Sequence, residues 1–358
     1  MTAFTTSSGR SIPFVAGYRD AHLLVDAKAV FGGSARSVGL GIDGFVKDVY
    51  QYAMLLDFLE SVGVGLRWKR TLDLGGAEGT MSRLLRGQGR AAHTTTVEIE
   101  DFRPALDTRR FMRLWSRLRA LTALARHRDD VRRFLVSGTP WRGRRLSNHF
   151  EDFGWWPPAG SVFWRLGLSA PPRVDEYVVG DIYALGGTYD LVSAASVIAW
   201  FELDRLFSHV RSLLAPDGVF YIQTDYWWFP VNSTFLVGHF PYACQRLTPG
   251  DFERYVGEFH PEEREDMLTR YRYFHHGEHA TVDDYVAIGR RAGFEFLGYR
   301  ALRPRRHERG TEPPTPRFIS AEDEMAQAAA LDDIHTHRPD VRAADLGTSW
   351  VQLAFRRT

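Results

Sequence analysis

The stretch Thr71-Leu-Asp-Leu-Gly-Gly-Ala-Glu-Gly-Thr80 decides how this chain folds. A short apolar run ends in an acid, a loop with Gly75, Gly76 and Gly79 follows, and a helix-like segment begins at Met81. That is a strand handing over to a helix through a turn stripped of side chains. Glycines permit unusual backbone angles and let a ligand approach the main chain. The helix start offers free N–H groups, and nucleotide-type ligands are held this way. The dinucleotide fingerprint G-x-G-x-x-G fits poorly, because its third and sixth positions, counted from Gly75, hold Ala77 and Thr80.

Asp73-Leu-Gly-Gly-Ala-Glu-Gly79 resembles motif I of the class I S-adenosylmethionine (SAM)-dependent methyltransferases, an acid, a hydrophobic residue and then G-x-G-x-G. Ala77 stands where the family commonly has its middle glycine. Thr94-Thr-Thr-Val-Glu-Ile-Glu-Asp101 is rich in β-branched residues and reads as the second strand. The resemblance implies that Glu98 accepts hydrogen bonds from both ribose hydroxyls, and a carboxylate suits a diol because it only accepts. Glu100 and Asp101 are the register alternatives, and Ile99 would pack on the adenine. Glu176–Ile182 is similar to the third strand, whose Asp181 would meet the adenine amino group beside Ile182. Tyr189–Ile198, with Ala195 near its end, is similar to the fourth. Ala215-Pro-Asp-Gly218 resembles the turn before strand five, with Asp217 in place of a glycine.

The fold the resemblance implies is α/β: a seven-stranded, mostly parallel, doubly wound sheet ordered 3-2-1-4-5-7-6, with its ligand crevice at the carboxyl ends of the strands. Residues 1–69 are expected to form an N-terminal helical cap. Residues 70–358 are expected to form the SAM-binding domain, with lid insertions at about 102–173, 225–281 and 303–347. In Asp43–Val62, Phe45, Val49, Tyr52, Leu56 and Leu59 recur at helical spacing. That pattern predicts a packing helix, with Tyr50 and Tyr52 as residues that could close over the cofactor. Thr281 and Asp284 are spaced as a capping box before a helix ending near Gly293. Phe294–Leu302 and Trp350–Arg356 read as strands six and seven. The first part of 303–347 is polar and proline-rich, and reads as an insertion or a mobile loop.

At 358 residues, 44% hydrophobic and 25% charged, the chain is ordinary globular material with ample core. A formal charge of +1 selects no partner. One cysteine, Cys244, excludes an intrachain disulfide, and the start lacks the apolar core of a signal peptide. No apolar run reaches a membrane-spanning length, so a cytoplasmic protein without a membrane is expected.

Methyl transfer is a displacement in which the protein chiefly aligns donor and acceptor, and a hydroxyl acceptor also needs a base. His275-His276-Gly-Glu278-His279 supplies the densest set of bases, histidine titrating near neutral pH. Any of these histidines could instead be inert on a surface loop. His275 and His279 could share a metal if the segment were helical; Gly277 and the Thr281 cap read it as a loop, and no metal is expected. Asp225, at the end of strand five, is the other candidate base. Many relatives carry a histidine after strand four, where this chain has Trp200. Trp155, Trp156, Trp227 and Trp228 fall in insertions flanking the pocket and would either fill core or favour a planar acceptor.

The expected partner is thus a small-molecule acceptor, most simply an aromatic or hydrophobic specialised metabolite methylated at oxygen, and the protein could be a homodimer. The alternatives are C- or N-methylation, including of a phosphorylated molecule, or an RNA methyltransferase using an arginine-rich helix over 109–133. A silent binding protein retaining the fold is a further one. Nucleic acid is the less expected partner, since no RNA-binding module is visible and Ser193-Ala-Ala-Ser196 stands where nucleic-acid enzymes carry an Asn-Pro-Pro-Tyr-type tetrapeptide.

Overall fold

The computed structural model describes residues 3–19, 42–77, 79–100, 174–228, 238–275, 279–302 and 321–358. Strands β3 (Trp68–Leu74), β4 (Ala91–Glu98), β5 (Glu176–Val179), β6 (Tyr189–Ala195), β7 (Leu214–Asp225), β8 (Phe294–Leu302) and β9 (Trp350–Arg357) form one seven-stranded sheet. Their order is β5-β4-β3-β6-β7-β9-β8, the predicted 3-2-1-4-5-7-6. The pairings among β3 to β7 are parallel, and β9 runs antiparallel to both its neighbours.

Helices cover both faces. On one, α1 (Ile42–Ser61) and α2 (Thr80–Gly87) bury Tyr52, Leu55, Leu56, Leu59, Leu84 and Leu85 against Leu191, Val219 and Tyr221. Tyr52 is therefore a core residue, not a flap over the cofactor. On the other face, α3 (Leu203–Leu213) sets Phe207 edge-on to Phe220 and Phe355, with ring centroids 5.2 and 5.1 Å apart. The predicted capping box opens α7 (Val282–Arg291): Asp284 N–H donates to Thr281 Oγ1 at 3.2 Å, and Thr281 N–H donates back to the Asp284 carboxylate at 2.8 Å.

One expectation about the flanking segments is corrected. The region before the sheet is not purely helical, because Ala3–Thr5 (β1) and Ser11–Pro13 (β2) form an antiparallel hairpin. That hairpin docks on the insertion after β7, where Ser7 donates from its N–H and its hydroxyl to Asp251 at 2.8 and 2.9 Å. Of the two readings of 303–347, an insertion or a mobile loop, the described residues from 321 onward fit the insertion. It contains α8 (Ala321–Ile334) and α9 (Ala343–Leu346).

These pieces join with α4 (Ala243–Arg246), α5 (Pro249–Phe259) and α6 (Arg264–His275) into a cap beyond the end of β7. Its buried ties are ionic and phenolic. Arg246 pairs with Asp333 at 2.7 Å, Tyr18 donates to Asp323 at 2.5 Å, and Tyr226 donates to Asp345 at 2.8 Å. Hydrogen-bonded partners let these polar groups sit in a core that would otherwise exclude them.

Candidate active site

The carboxyl ends of β3, β4 and β6 converge on the glycine turn. Gly75 takes φ +61°, the left-handed region, and Val197 packs where its Cβ would lie, 2.3 Å away. Gly76 is fixed by space alone: a Cβ there would meet Asp73 Oδ2 at 2.3 Å and Thr96 Cγ2 at 2.8 Å. The turn is thus pressed onto the Asp73 carboxylate from one side and roofed by Val197 from another. Gly79 opens α2 with φ +77° and accepts from Arg83 N–H. Glu78 lies outside the described residues.

Asp73 is buried, and Ser193 Oγ donates to its Oδ1 at 2.8 Å. Burial pushes its carboxyl up to about 7, the Ser193 bond opposes that rise, and the charge of Glu98 adds to it. Glu98 ends β4. Burial raises its carboxyl too, against the Ile99 N–H, which donates to it at 3.1 Å, and the nearby Ala77 N–H, both of which lower it. Ile99 is 79% exposed beside it, an apolar surface at the rim of the crevice. A carboxylate with spare acceptor capacity beside a bare apolar side chain and a turn without Cβ atoms fits a ribose, an adenine and the chain attached to them.

The other predicted cofactor residues divide. Asp181 is exposed at the strand end, and one of its oxygens accepts from Tyr183 N–H at 3.0 Å, capping the short 3-10 turn Ile182–Ala184. Ile182 turns its side chain into the core, so that side chain does not face the crevice. Ala195 ends β6, opposite Gln223 on β7. Ala77 sits in the turn with φ +44°.

Several residues at the site carry no functional motif in the sequence. Beyond Ala195, Ser196 adopts φ +58° and accepts from Gln51 of α1 at 2.8 Å. The only hint of Gln51 in the sequence is that it stands four and seven residues before Leu55 and Phe58, in the buried stripe. Ser193 and Tyr177 carried no such sign. Non-glycine residues in the left-handed region are held there by their surroundings and gather at functional sites, and Ala77 and Ser196 flank this crevice.

Of the proposed bases, His279 is the one whose side chain the structure describes. Its ring stacks on Trp227 with centroids 4.3 Å apart and planes 26° off parallel. His275, predicted to lie in a loop, is the last residue of α6, and His276–Glu278 lie outside the described residues. Asp225 ends β7 opposite Trp350. Trp227 and Trp228 are 1% exposed and fill core. Trp200 is 53% exposed on the 3-10 turn after β6. Trp155, Trp156, Asp101 and the arginine-rich 109–133 lie outside the described residues. Among the described residues, no group of three or more His, Cys, Asp or Glu is placed to hold a metal, and no helix is long and apolar enough to cross a membrane.

The sheet order, the glycine turn and the strand-end acid define an α/β enzyme of the nucleoside-binding kind. A family model described as a methyltransferase domain matches residues 46–297, well over half of the chain. The chain belongs to that family and is an S-adenosylmethionine-dependent methyltransferase. No curated protein sequence matches it.

Among solved structures it is similar to the cyclopropane synthase MmaA2 of Mycobacterium tuberculosis, at 10% identity and TM-score 0.42, covering 93% of this chain and 97% of that one. It is also similar to phosphoethanolamine N-methyltransferase 2 of Haemonchus contortus, at 14% identity and TM-score 0.41, covering 97% and 62%. A SAM-dependent methyltransferase of Mesorhizobium loti matches at 13% identity and TM-score 0.38, covering 84% and 96%. The family assignment rests on the domain match and the sheet, not on these distant likenesses.

Proposed function

We propose that this enzyme methylates an oxygen of a small aromatic or hydrophobic acceptor, in specialised metabolism and in the cytoplasm. SAM supplies an activated methyl group on a sulfonium. The chain holds that group's nucleoside at Glu98 and the glycine turn, holds the acceptor beside it, and takes the acceptor's proton as the methyl leaves sulfur for oxygen. His279 and Asp225 are the groups offered for the proton, since Asp225 ends β7 and His279 stacks on Trp227 two residues beyond it, near where the acceptor is expected.

The observation that carries the acceptor class is Trp200. A large indole more than half exposed at the end of β6 is a flat apolar surface for a ring to lie on, and aromatic pairs of this kind add about 0.5–1.5 kcal/mol beyond area burial. The test is incubation with methyl-labelled SAM and matched acceptors, phenols and catechols against anilines and against short RNA, with products read by mass spectrometry. Labelled aryl methyl ethers, reduced at least about tenfold in kcat/KM by Trp200→Ala, are expected. Methylated anilines or RNA in place of ethers would overturn the reading.

A further inference from the structure

We infer that Tyr177 is a positioning residue for the cofactor, its hydroxyl holding Ala77 in the conformation that the nucleoside site requires. Tyr177 stands on β5, the outermost strand, two strands away from the glycine turn. Its side chain reaches across β4, and its hydroxyl donates to the Ala77 carbonyl at 2.6 Å. The Glu100 carbonyl, just past Glu98 and Ile99, lies 3.5 Å from the same oxygen. One phenol therefore sits between the turn that faces the ligand and the segment that follows the ribose acid.

The Ala77 peptide is gripped on both sides. Its N–H faces the Glu98 carboxylate and lowers that carboxyl, and its carbonyl accepts from Tyr177. At φ +44° this alanine is in the left-handed region, where a Cβ crowds the following carbonyl and which glycine enters freely. A glycine here would need no such grip. The alanine keeps the shape because neighbours over-determine it, and Tyr177 is the neighbour that is not itself expected to touch the cofactor. If the grip were lost, Ala77 would relax toward negative φ and withdraw its N–H from Glu98, disturbing the carboxylate that faces the ribose.

The experiment is a double-mutant cycle on Tyr177→Phe and Ala77→Gly, read by calorimetric binding of S-adenosylhomocysteine and by thermal melting of the ligand-free protein. Tyr177→Phe is expected to weaken binding about five- to tenfold, the scale of one hydrogen bond, with little change in melting temperature. In the Ala77→Gly background most of the loss caused by Tyr177→Phe should disappear, because glycine holds the left-handed angle unaided. Unchanged affinity in Tyr177→Phe would overturn the assignment. So would an equal loss in the alanine and glycine backgrounds, or a large fall in melting temperature, which would make Tyr177 a packing residue.

Discussion

Gln51 of α1 donates to Ser196 Oγ at 2.8 Å, and Ser196 is the residue at which β6 leaves the sheet with φ +58°. The bond ties the N-terminal helix to the point where the chain turns over the cofactor site. Ser196 N–H also donates to the Gln223 carbonyl at 2.7 Å, and the next residue, Val197, roofs Gly75. Removing the carboxamide leaves a polar residue in a strained conformation with one restraint fewer. Gln51→Ala should lower stability by about 1 kcal/mol and weaken S-adenosylhomocysteine binding several-fold. Calorimetry and thermal melting on one preparation check both, and a variant unchanged in both would disconnect α1 from the site.

Asp73 gives a pH dependence with a definite sign. Its folded carboxyl is raised from 3.8 to about 7, mainly by burial. Between those values the folded state holds a proton that the unfolded chain has released, so this group stabilises the fold at low pH and loses that contribution as pH rises through 7. His260 acts oppositely on the acid side: burial, Arg19 and His239 lower it from 6.5 to about 3, so its contribution is lost as pH falls below 6.5. Comparing Asp73→Asn with the parent cancels His260. The melting temperature of the ligand-free asparagine variant should gain on the parent from pH 5.5 to about 7 and then level off to pH 8.5, by about 2 kcal/mol in stability terms. A difference that is flat across that range would mean Asp73 is ionised throughout.

Gly76 tests how closely the turn is pressed onto that acid. Its Cβ would fall 2.3 Å from Asp73 Oδ2 and 2.8 Å from Thr96 Cγ2, and both of those residues are buried. Gly76→Ala should cost about 1–3 kcal/mol, the usual range for overpacking, and abolish measurable S-adenosylhomocysteine binding. Gly250, in the first turn of α5, has nothing within 4 Å of its Cβ position. There the same substitution should be neutral or stabilise by up to about 1 kcal/mol. If the two alanines behave alike in melting experiments, the close packing of the turn is wrong.

The central sheet was legible because its strands are punctuated. Asp73 and the glycines end β3, Thr94–Val97 are β-branched, and Ala215–Gly218, with Asp217 at φ +61°, is the irregular stretch inside β7 after which it pairs regularly with β6. The cap was not legible, and α8 shows why. Its inward positions include Asp323, Ala330, Asp333 and Ile334. Two of the four are acids, so the apolar stripe that would announce a helix is broken. Those acids are buried by Tyr18 and Arg246, partners 305 and 87 residues away in the chain, and no local pattern predicts pairing at such range. The site divides in the same way. Glu98 and the glycines follow from a motif, whereas Ser193, Tyr177 and Gln51 act through hydrogen bonds between strands and helices distant in the chain. Ser193-Ala-Ala-Ser196 was noticed for the tetrapeptide it lacks, yet its two serines are what bind Asp73 and Gln51.

His279 separates packing from proton transfer. Its ring lies 4.3 Å from Trp227 and 6.0 Å from Trp228, centroid to centroid, and Arg338 donates to its carbonyl at 2.5 Å. Alanine there removes a ring from an aromatic stack and should destabilise the cap by about 0.5–1.5 kcal/mol, whatever the chemistry. Phenylalanine keeps a flat ring against Trp227 and removes only the nitrogens. If His279 takes the acceptor's proton, His279→Phe should melt close to the parent, bind S-adenosylhomocysteine equally well and lose about 10²-fold or more in kcat. Steady-state rates with the preferred acceptor, measured from pH 6 to 9, make the comparison. A phenylalanine variant that keeps parental kcat and its pH profile confines His279 to packing and leaves Asp225 as the base to replace next.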